Sequence, residues 1–182
     1  MGLYSRIELS GGFCILWAFL ILTLPPKLLL ASAAAAMIHE ACHAGAVWLT
    51  GGGIQRIRME AGGIVMDVTQ MDAPRELICA VAGPAGSLLL ACMPCPPLAF
   101  CALVQGLFNL IPIMPLDGGR MLGSILELTV PKFRARIEGG VECAIWSALL
   151  VGACFLGIGA VVLWLGFVFR KFPCKPWGKR VQ

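Results

Sequence analysis

Long runs of apolar residues are the feature that most restricts how this chain can fold. Of its 182 residues, 59% are hydrophobic and 13% carry a charge, whereas an ordinary soluble domain has about 25% charged residues. The formal net charge is +4, and the basic residues mostly lie at the ends of apolar runs rather than in one patch. The sequence therefore predicts an integral, multi-pass membrane protein in the lipid bilayer, with no nucleic-acid partner.

The order of the apolar runs predicts an all-α membrane protein, a polytopic bundle of about six transmembrane helices. The first three helices are expected at residues 13–24, 28–49 and 76–93. The fourth is expected to begin at Leu98 and to be broken at Pro112 and Pro115. The last run, residues 141–169, is too long for one upright span. We divide it into two short segments that turn near Gly157-Ile158-Gly159, because this keeps the basic C-terminal tail on the cytoplasmic side. One strongly tilted span, which gives five spans in all, is the alternative.

The second apolar run contains the only two histidines of the chain, His39 and His43. On a helix, side chains four residues apart project from one face, so both imidazoles can reach one metal ion, with the carboxylate of Glu40 beside them. A pair of histidines that only packs the helix is the alternative. Ionisable groups in a membrane are costly and are generally kept for function, which favours the metal site. At 1.5 Å per residue, His39 lies about 15 Å from Leu49 at the end of the run, inside the membrane but reachable from that side.

A third metal ligand is expected where prolines break the fourth apolar run. Asp117 follows Pro112 and Pro115, and a carboxylate at the edge of a span needs a partner. Two imidazoles, one carboxylate and an open position form a hydrolytic zinc set. Gly118 and Gly119 are expected to permit the turn that directs the carboxylate back. The alternative is that Asp117 caps a helix at the water surface.

Between the second and third predicted spans, the pattern of apolar and polar residues changes its period. Arg56, Arg58 and Glu60 alternate with apolar residues, and glycines then precede a second apolar run. Period-two alternation is typical of strands, so residues 54–68 are predicted to form a small β-hairpin. An exposed strand edge beside a metal centre suggests that a substrate peptide binds as an added strand. A plain connecting hairpin is the alternative.

The cysteines and the small residues 82–87 are expected to have structural roles and no chemical role. Of the nine cysteines, six lie in apolar runs, where a free thiol behaves as a small hydrophobe, so no disulfide framework is implied. We interpret the Cys92-Met-Pro-Cys95 spacing as a chance feature of a loop between two spans. The small side chains of residues 82–87 in the third span are expected to allow close helix packing.

Two segments of the chain resemble the motifs of the site-2 protease family of intramembrane zinc metalloproteases. They are His39-Glu40-Ala41-Cys42-His43 and the stretch from Asn109 through the prolines to Asp117-Gly118-Gly119. The short bacterial branch, typified by the stage IV sporulation protein FB protease, is the most similar, and the likeness covers residues 28–119. Ser87 departs from the asparagine expected in the family's glycine-proline motif.

The resemblance implies roles for particular residues. One Zn²⁺ ion would be held by His39, His43 and Asp117, with Glu40 as general base and Asn109 positioning the substrate or the developing oxyanion. We expect a single membrane metalloprotease domain over residues 1–182. It comprises a first span within 1–27, a catalytic core in 28–119 and C-terminal spans with a basic tail in 120–182.

The same resemblance implies an intramembrane zinc endopeptidase. Its partners would be a transmembrane or membrane-tethered protein substrate, such as a signalling or sigma-factor precursor in regulated intramembrane proteolysis, and membrane regulatory proteins. The expected location is a bacterial cell membrane, with the active site nearer the cytoplasm. A divalent-metal transporter and an inactive relative that binds membrane segments are the alternatives. The polar intramembrane residues fall in only two segments, which argues against a transport path.

Overall fold

The computed structural model describes residues 7–60 and 63–155 of the protein. In chain order its elements are β1 (Ile7–Leu9), α1 (Gly11–Thr23), α2 (Pro26–Leu49), β2 (Ile54–Glu60), β3 (Gly63–Val68), α3 (Ala73–Leu90), α4 (Pro96–Asn109), α5 (Asp117–Thr129), a 3₁₀ turn (Pro131–Phe133) and α6 (Arg134–Phe155). The described part is therefore mostly helical with one small sheet, as the sequence predicted.

Local sequence accounts for the helix boundaries around the first two helices. The hydroxyl of Ser10 accepts a hydrogen bond from the amide of Phe13 at 3.2 Å and caps α1. The Pro25-Pro26 pair ends α1 and starts α2, because proline lacks an N–H that the first helical position would leave unpaired anyway. Gly51, with a φ of 76°, follows the end of α2 in a conformation that favours glycine.

The sheet has the order β1-β2-β3. Strands β2 and β3 form the predicted antiparallel hairpin, with Ile57 opposite Met66. Strand β1 pairs parallel to β2, with Ile7 opposite Ile57, and Glu8 contacts Arg56 at 3.3 Å. Strand β1 has no counterpart in the prediction, because three residues before a helix carry no periodic signal of their own.

Small side chains fill the interior and large ones lie outside. Most of the buried hydrophobic residues are alanines: Ala31, Ala35, Ala46, Ala73, Ala80 and Ala102. Leu22, Trp48 and Leu49 are 78–85% exposed. Membrane helices typically meet through small residues, because lipid solvates the large apolar side chains. This distribution therefore suits a hydrocarbon environment.

Helix α2 is the one described helix that is long and apolar enough to cross a membrane by itself, and α1 is a shorter apolar helix. The coarse prediction of a helical membrane protein agrees with this. The described helices do not establish the number of about six spans.

Helix α3 lies three residues before its predicted bounds, and the helices after it differ more. The fourth apolar run ends as a helix at Asn109, and a new helix, α5, begins at Asp117, where we had expected a turn. Helix α6 begins at Arg134, seven residues before the predicted start at residue 141. The Arg134–Glu138 ion pair, at 2.9 Å and one helical turn apart, favours this early start. The turn predicted near residues 157–159 lies outside the described residues.

Candidate metal centre

Three side chains from distant parts of the chain meet at one point. Oδ2 of Asp117 lies 3.0 Å from Nε2 of His39 and 3.0 Å from Nε2 of His43. The two Nε2 atoms lie 3.2 Å apart. All three residues are buried, with 2%, 5% and 7% exposure for His39, His43 and Asp117. Helices α2 and α5 thus bring together the three ligands that the sequence analysis had proposed.

Each histidine also has a partner for its second ring nitrogen. Nδ1 of His43 donates to the carbonyl oxygen of Cys79 at 2.7 Å, and Nδ1 of His39 lies 2.8 Å from the hydroxyl of Ser87. Both partners belong to α3. Metal-binding histidines generally have such an outer partner, which fixes the orientation and tautomer of the ring.

The hydrogen-bonding pattern shows that the site fits a cation. A carbonyl oxygen can only accept, so the proton of a neutral His43 lies on Nδ1, and its Nε2 carries a lone pair. This lone pair faces a carboxylate oxygen and a second imidazole nitrogen at about 3 Å. Electron-rich atoms repel at this distance unless a positive charge lies among them. Two imidazoles and one carboxylate are the protein ligands of many catalytic zinc sites, so the donor set fits a metal ion.

Helix α3 approaches the histidines closely because it has glycine at the point of contact. A Cβ atom on Gly83 would lie 2.1 Å from Nε2 of His43. A Cβ atom on Gly86 would lie 2.3 Å from the sulfur of Cys42. The small residues of this helix do allow close packing, as predicted. Nothing in the sequence of this helix indicates that its packing partner is a proposed metal ligand.

Asp117 is held by its own helix and by the preceding loop. Its Oδ1 accepts a hydrogen bond from Arg120 at 3.3 Å. A Cβ atom on Gly118 would lie 2.2 Å from the carbonyl oxygen of Leu110, and one on Gly119 would lie 2.5 Å from the carbonyl carbon of Ile113. Both glycines are helical residues without a positive φ. Our expectation that they form a turn is wrong: they let the loop backbone approach α5.

The two other proposed site residues have different surroundings. Glu40 follows His39 on α2, is partly buried, and interacts electrostatically with His39 and Asp117. Asn109 is the last residue of α4, and its side-chain amide donates to the carbonyl of Gln105 at 3.2 Å, within its own helix. The structure therefore places Glu40 near His39 and Asp117, and it gives the Asn109 amide a partner within α4.

Among the described residues, no cysteine side chain belongs to the group of His39, His43 and Asp117. Cys92 and Cys95 lie exposed around the turn between α3 and α4, and both are free thiols. Cys79 takes part through its backbone carbonyl, and its sulfur lies 3.8 Å from the hydroxyl of Thr50. The sequence alone gives no signal for a carbonyl contact of this kind, because every residue has a carbonyl.

His39, His43 and Asp117 form a buried group in a helical fold whose large apolar side chains lie outside. This combination is typical of membrane metallohydrolases. Residues 13–111, more than half of the chain, match the family model described as Peptidase M50B-like. Residues 93–152 match the model described as Peptidase family M50. The chain belongs to this family, the site-2 protease family of metalloproteases, whose members are integral membrane proteins.

A solved structure agrees in fold. The chain is similar to the Site-2 Protease from Methanocaldococcus jannaschii, with a TM-score of 0.68 and 21% sequence identity, over 100% of this chain and 95% of that chain. No curated protein matches the chain.

Proposed function

We propose that this chain is an intramembrane zinc endopeptidase that cleaves a peptide bond within or beside a membrane segment of another protein. The observation that carries the proposal is the meeting of His39, His43 and Asp117 at one buried point. Two elements far apart in the chain thereby supply one donor set, which would hold a single zinc ion. Membership of a peptidase family supports peptide hydrolysis as the reaction.

Glu40 is the proposed general base. A zinc ion held by His39, His43 and Asp117 would supply Lewis acidity at this site. The carboxylate of Glu40 takes a proton from the attacking water and then delivers it to the leaving amine. Its place directly after His39, in electrostatic contact with His39 and Asp117, supports this role.

Asn109 is proposed to position the substrate or the developing oxyanion. In the structure its amide is bound to the Gln105 carbonyl. The role therefore requires the amide to exchange this carbonyl for a substrate oxygen. Its place at the end of α4, directly before the loop that leads to Asp117, supports this proposal.

The hairpin offers a way to hold an extended substrate. Strand β3 is an outer strand of the described sheet, so one of its edges has no strand partner among the described strands. A peptide that adds to such an edge is stretched, with its backbone amides and carbonyls paired. Extension is what hydrolysis requires, because a helical segment shields its peptide bonds.

We place the protein in a bacterial cell membrane as one domain of about six spans, with the active site nearer the cytoplasm. The first span lies within residues 1–27, the catalytic core in 28–119, and the remaining spans and the basic tail in 120–182. The positive-inside rule supports this orientation. It places the following residues on the cytoplasmic side: Arg56, Arg58, Arg75, Arg120, Lys132, Arg134 and Arg136.

The proposed substrates are transmembrane or membrane-tethered proteins, such as a signalling or sigma-factor precursor released by regulated intramembrane proteolysis. Membrane regulatory proteins are proposed as further partners. Metal transport is disfavoured because a transport path needs polar groups at successive depths. In the described residues, the two histidines and Asp117 converge on one point instead.

The Glu40→Gln variant tests the proposed function. We expect the purified variant to retain one zinc per chain and to lose cleavage of a panel of co-expressed single-span reporter proteins, because only the base is removed. Glu127→Gln is the control, since this half-exposed carboxylate lies on α5 and pairs with Arg134. Cleavage that survives in Glu40→Gln at the wild-type rate contradicts the proposal. Zinc flux into vesicles that persists in this variant favours the transporter.

A further inference from the structure

Ser87 lies at the back of the proposed metal site. It is 0% exposed, and its hydroxyl oxygen lies 2.8 Å from Nδ1 of His39, which is itself 2% exposed. A Cβ atom on Gly106 of α4 would lie 3.0 Å from the Cβ of Ser87, so α4 packs directly on the serine. A hydroxyl buried this deeply needs a hydrogen-bond partner, and the imidazole supplies one.

Three residues on one face of α3 contact the two imidazoles. Cys79, Gly83 and Ser87 follow one another at intervals of four residues, so they lie above one another on the helix. The Cys79 carbonyl binds His43, Gly83 leaves room for the His43 ring, and Ser87 binds His39. Cys79 and Ser87 on this face therefore bind the outer nitrogens of the two histidines, while both Nε2 atoms lie 3.0 Å from Asp117.

We propose that Ser87 is a positioning residue that fixes the ring orientation and tautomer of His39. With a metal on Nε2 of His39, the ring proton would be on Nδ1, and this N–H would donate a hydrogen bond to the hydroxyl oxygen of Ser87. The serine then holds the Nε2 lone pair towards the metal through an atom that never touches the metal itself. This inference rests on the proposed function, because the orientation of Nε2 matters only if Nε2 is a ligand.

The loss of such an outer partner typically lowers metal affinity 10–100-fold. We therefore expect Ser87→Ala to bind zinc about 10–100-fold more weakly than the wild type, measured by chelator competition on the full chain in detergent. The cobalt-substituted variant should also have an altered visible spectrum, because the orientation of one imidazole ligand changes. Ser87→Thr keeps the hydroxyl and should restore both properties.

Ser124→Ala is the matched control. Ser124 is buried to the same degree, at 1% exposure, but its hydroxyl has no hydrogen-bond partner among the described residues. Removing its oxygen changes the buried volume equally without removing a described hydrogen bond. Zinc affinity and the cobalt spectrum should remain those of the wild type.

His39→Ala separates this inference from the proposed function. If Ser87→Ala matches the wild type in affinity and spectrum while His39→Ala has lost zinc, the role of Ser87 is refuted and the metal site stands. If His39→Ala also binds zinc like the wild type, the metal site itself is wrong, and the role of Ser87 falls with it. If Ser87→Ala is weakened but a Ser87→Thr variant with wild-type thermal unfolding is equally weak, the hydroxyl is not the cause.

Discussion

Helices α3 and α6 both contain glycines but differ in how these residues meet the rest of the molecule. In α3, a Cβ atom on Gly83 would overlap the ring of His43 at 2.1 Å. In α6, a Cβ atom on Gly139, Gly140 or Gly152 would meet no described atom within 4 Å. Glycine in α3 is thus required by a neighbour that is a proposed metal ligand. Glycine in α6 has no such constraint in the described part of the chain.

The contacts that hold the two helices differ in the same way. Helix α3 buries six residues, all with small or compact side chains, against α2, α4 and α5. Helix α6 has a polar contact with residues 110–116, the loop between α4 and α5. Glu142 of α6 accepts a hydrogen bond from the amide of Met114 in this loop at 3.3 Å. Close packing has little room for change, whereas a single hydrogen bond contributes about 1 kcal/mol. Substitutions in α3 should therefore affect the site far more than substitutions in α6.

The largest effect is expected for Gly83→Ala. The new methyl group would occupy the space of the His43 imidazole, so either the ring or α3 must move. We expect loss of stoichiometric zinc and at least about a hundredfold loss of cleavage, since small displacements of catalytic groups have effects of this size. Gly139→Ala is the control and should be neutral or slightly stabilising, because alanine favours helices more than glycine does. Equal zinc content in the two variants would refute the comparison.

A smaller effect is expected for Gly118→Ala at the start of α5. Its Cβ would meet the carbonyl oxygen of Leu110 at 2.2 Å, so the loop must shift and carry the neighbouring Asp117 with it. Overpacking of this kind costs about 1–3 kcal/mol of stability. We expect a lower unfolding temperature and weaker zinc binding, with Gly140→Ala as the control. An unchanged unfolding temperature would show that the loop adapts freely.

The smallest effect is expected for Glu142→Ala in α6. The variant removes the acceptor for the Met114 amide, and a hydrogen bond of this type contributes about 0.5–1.5 kcal/mol. The unfolding temperature should fall slightly, and the zinc content should stay at one ion per chain. Glu142→Gln keeps an acceptor oxygen and should match the wild type. If Glu142→Ala lost zinc as completely as Gly83→Ala, α6 would be as closely coupled to the site as α3.

The sequence predicted the features that follow from spacing. Four-residue spacing puts His39 and His43 on one helical face, and the cost of a carboxylate in an apolar setting led us to Asp117. The hairpin followed from its period of two, and the hairpin was confirmed. These inferences depend only on residues near one another in the chain or on one strong physical cost.

The features that depend on which helices touch could not be predicted. Residues 82–87 indicate close packing whatever their partner is, so the contacts of Gly83 and Ser87 with the histidines had no signal of their own. The pair Gly118-Gly119 has the composition of a turn, but both residues lie in the first turn of α5, against the backbone of the preceding loop. In both cases the outcome depends on tertiary contacts, which the local sequence does not reveal.

The pairing of β1 with β2 joins the first helix to the sheet. Strand β1 lies parallel to β2, and the Ser10 amide donates to the carbonyl of Met59 at 2.9 Å. The hydroxyl of the same Ser10 caps α1. One residue thus links the two elements, so a tilt of α1 would pull on the edge of the sheet.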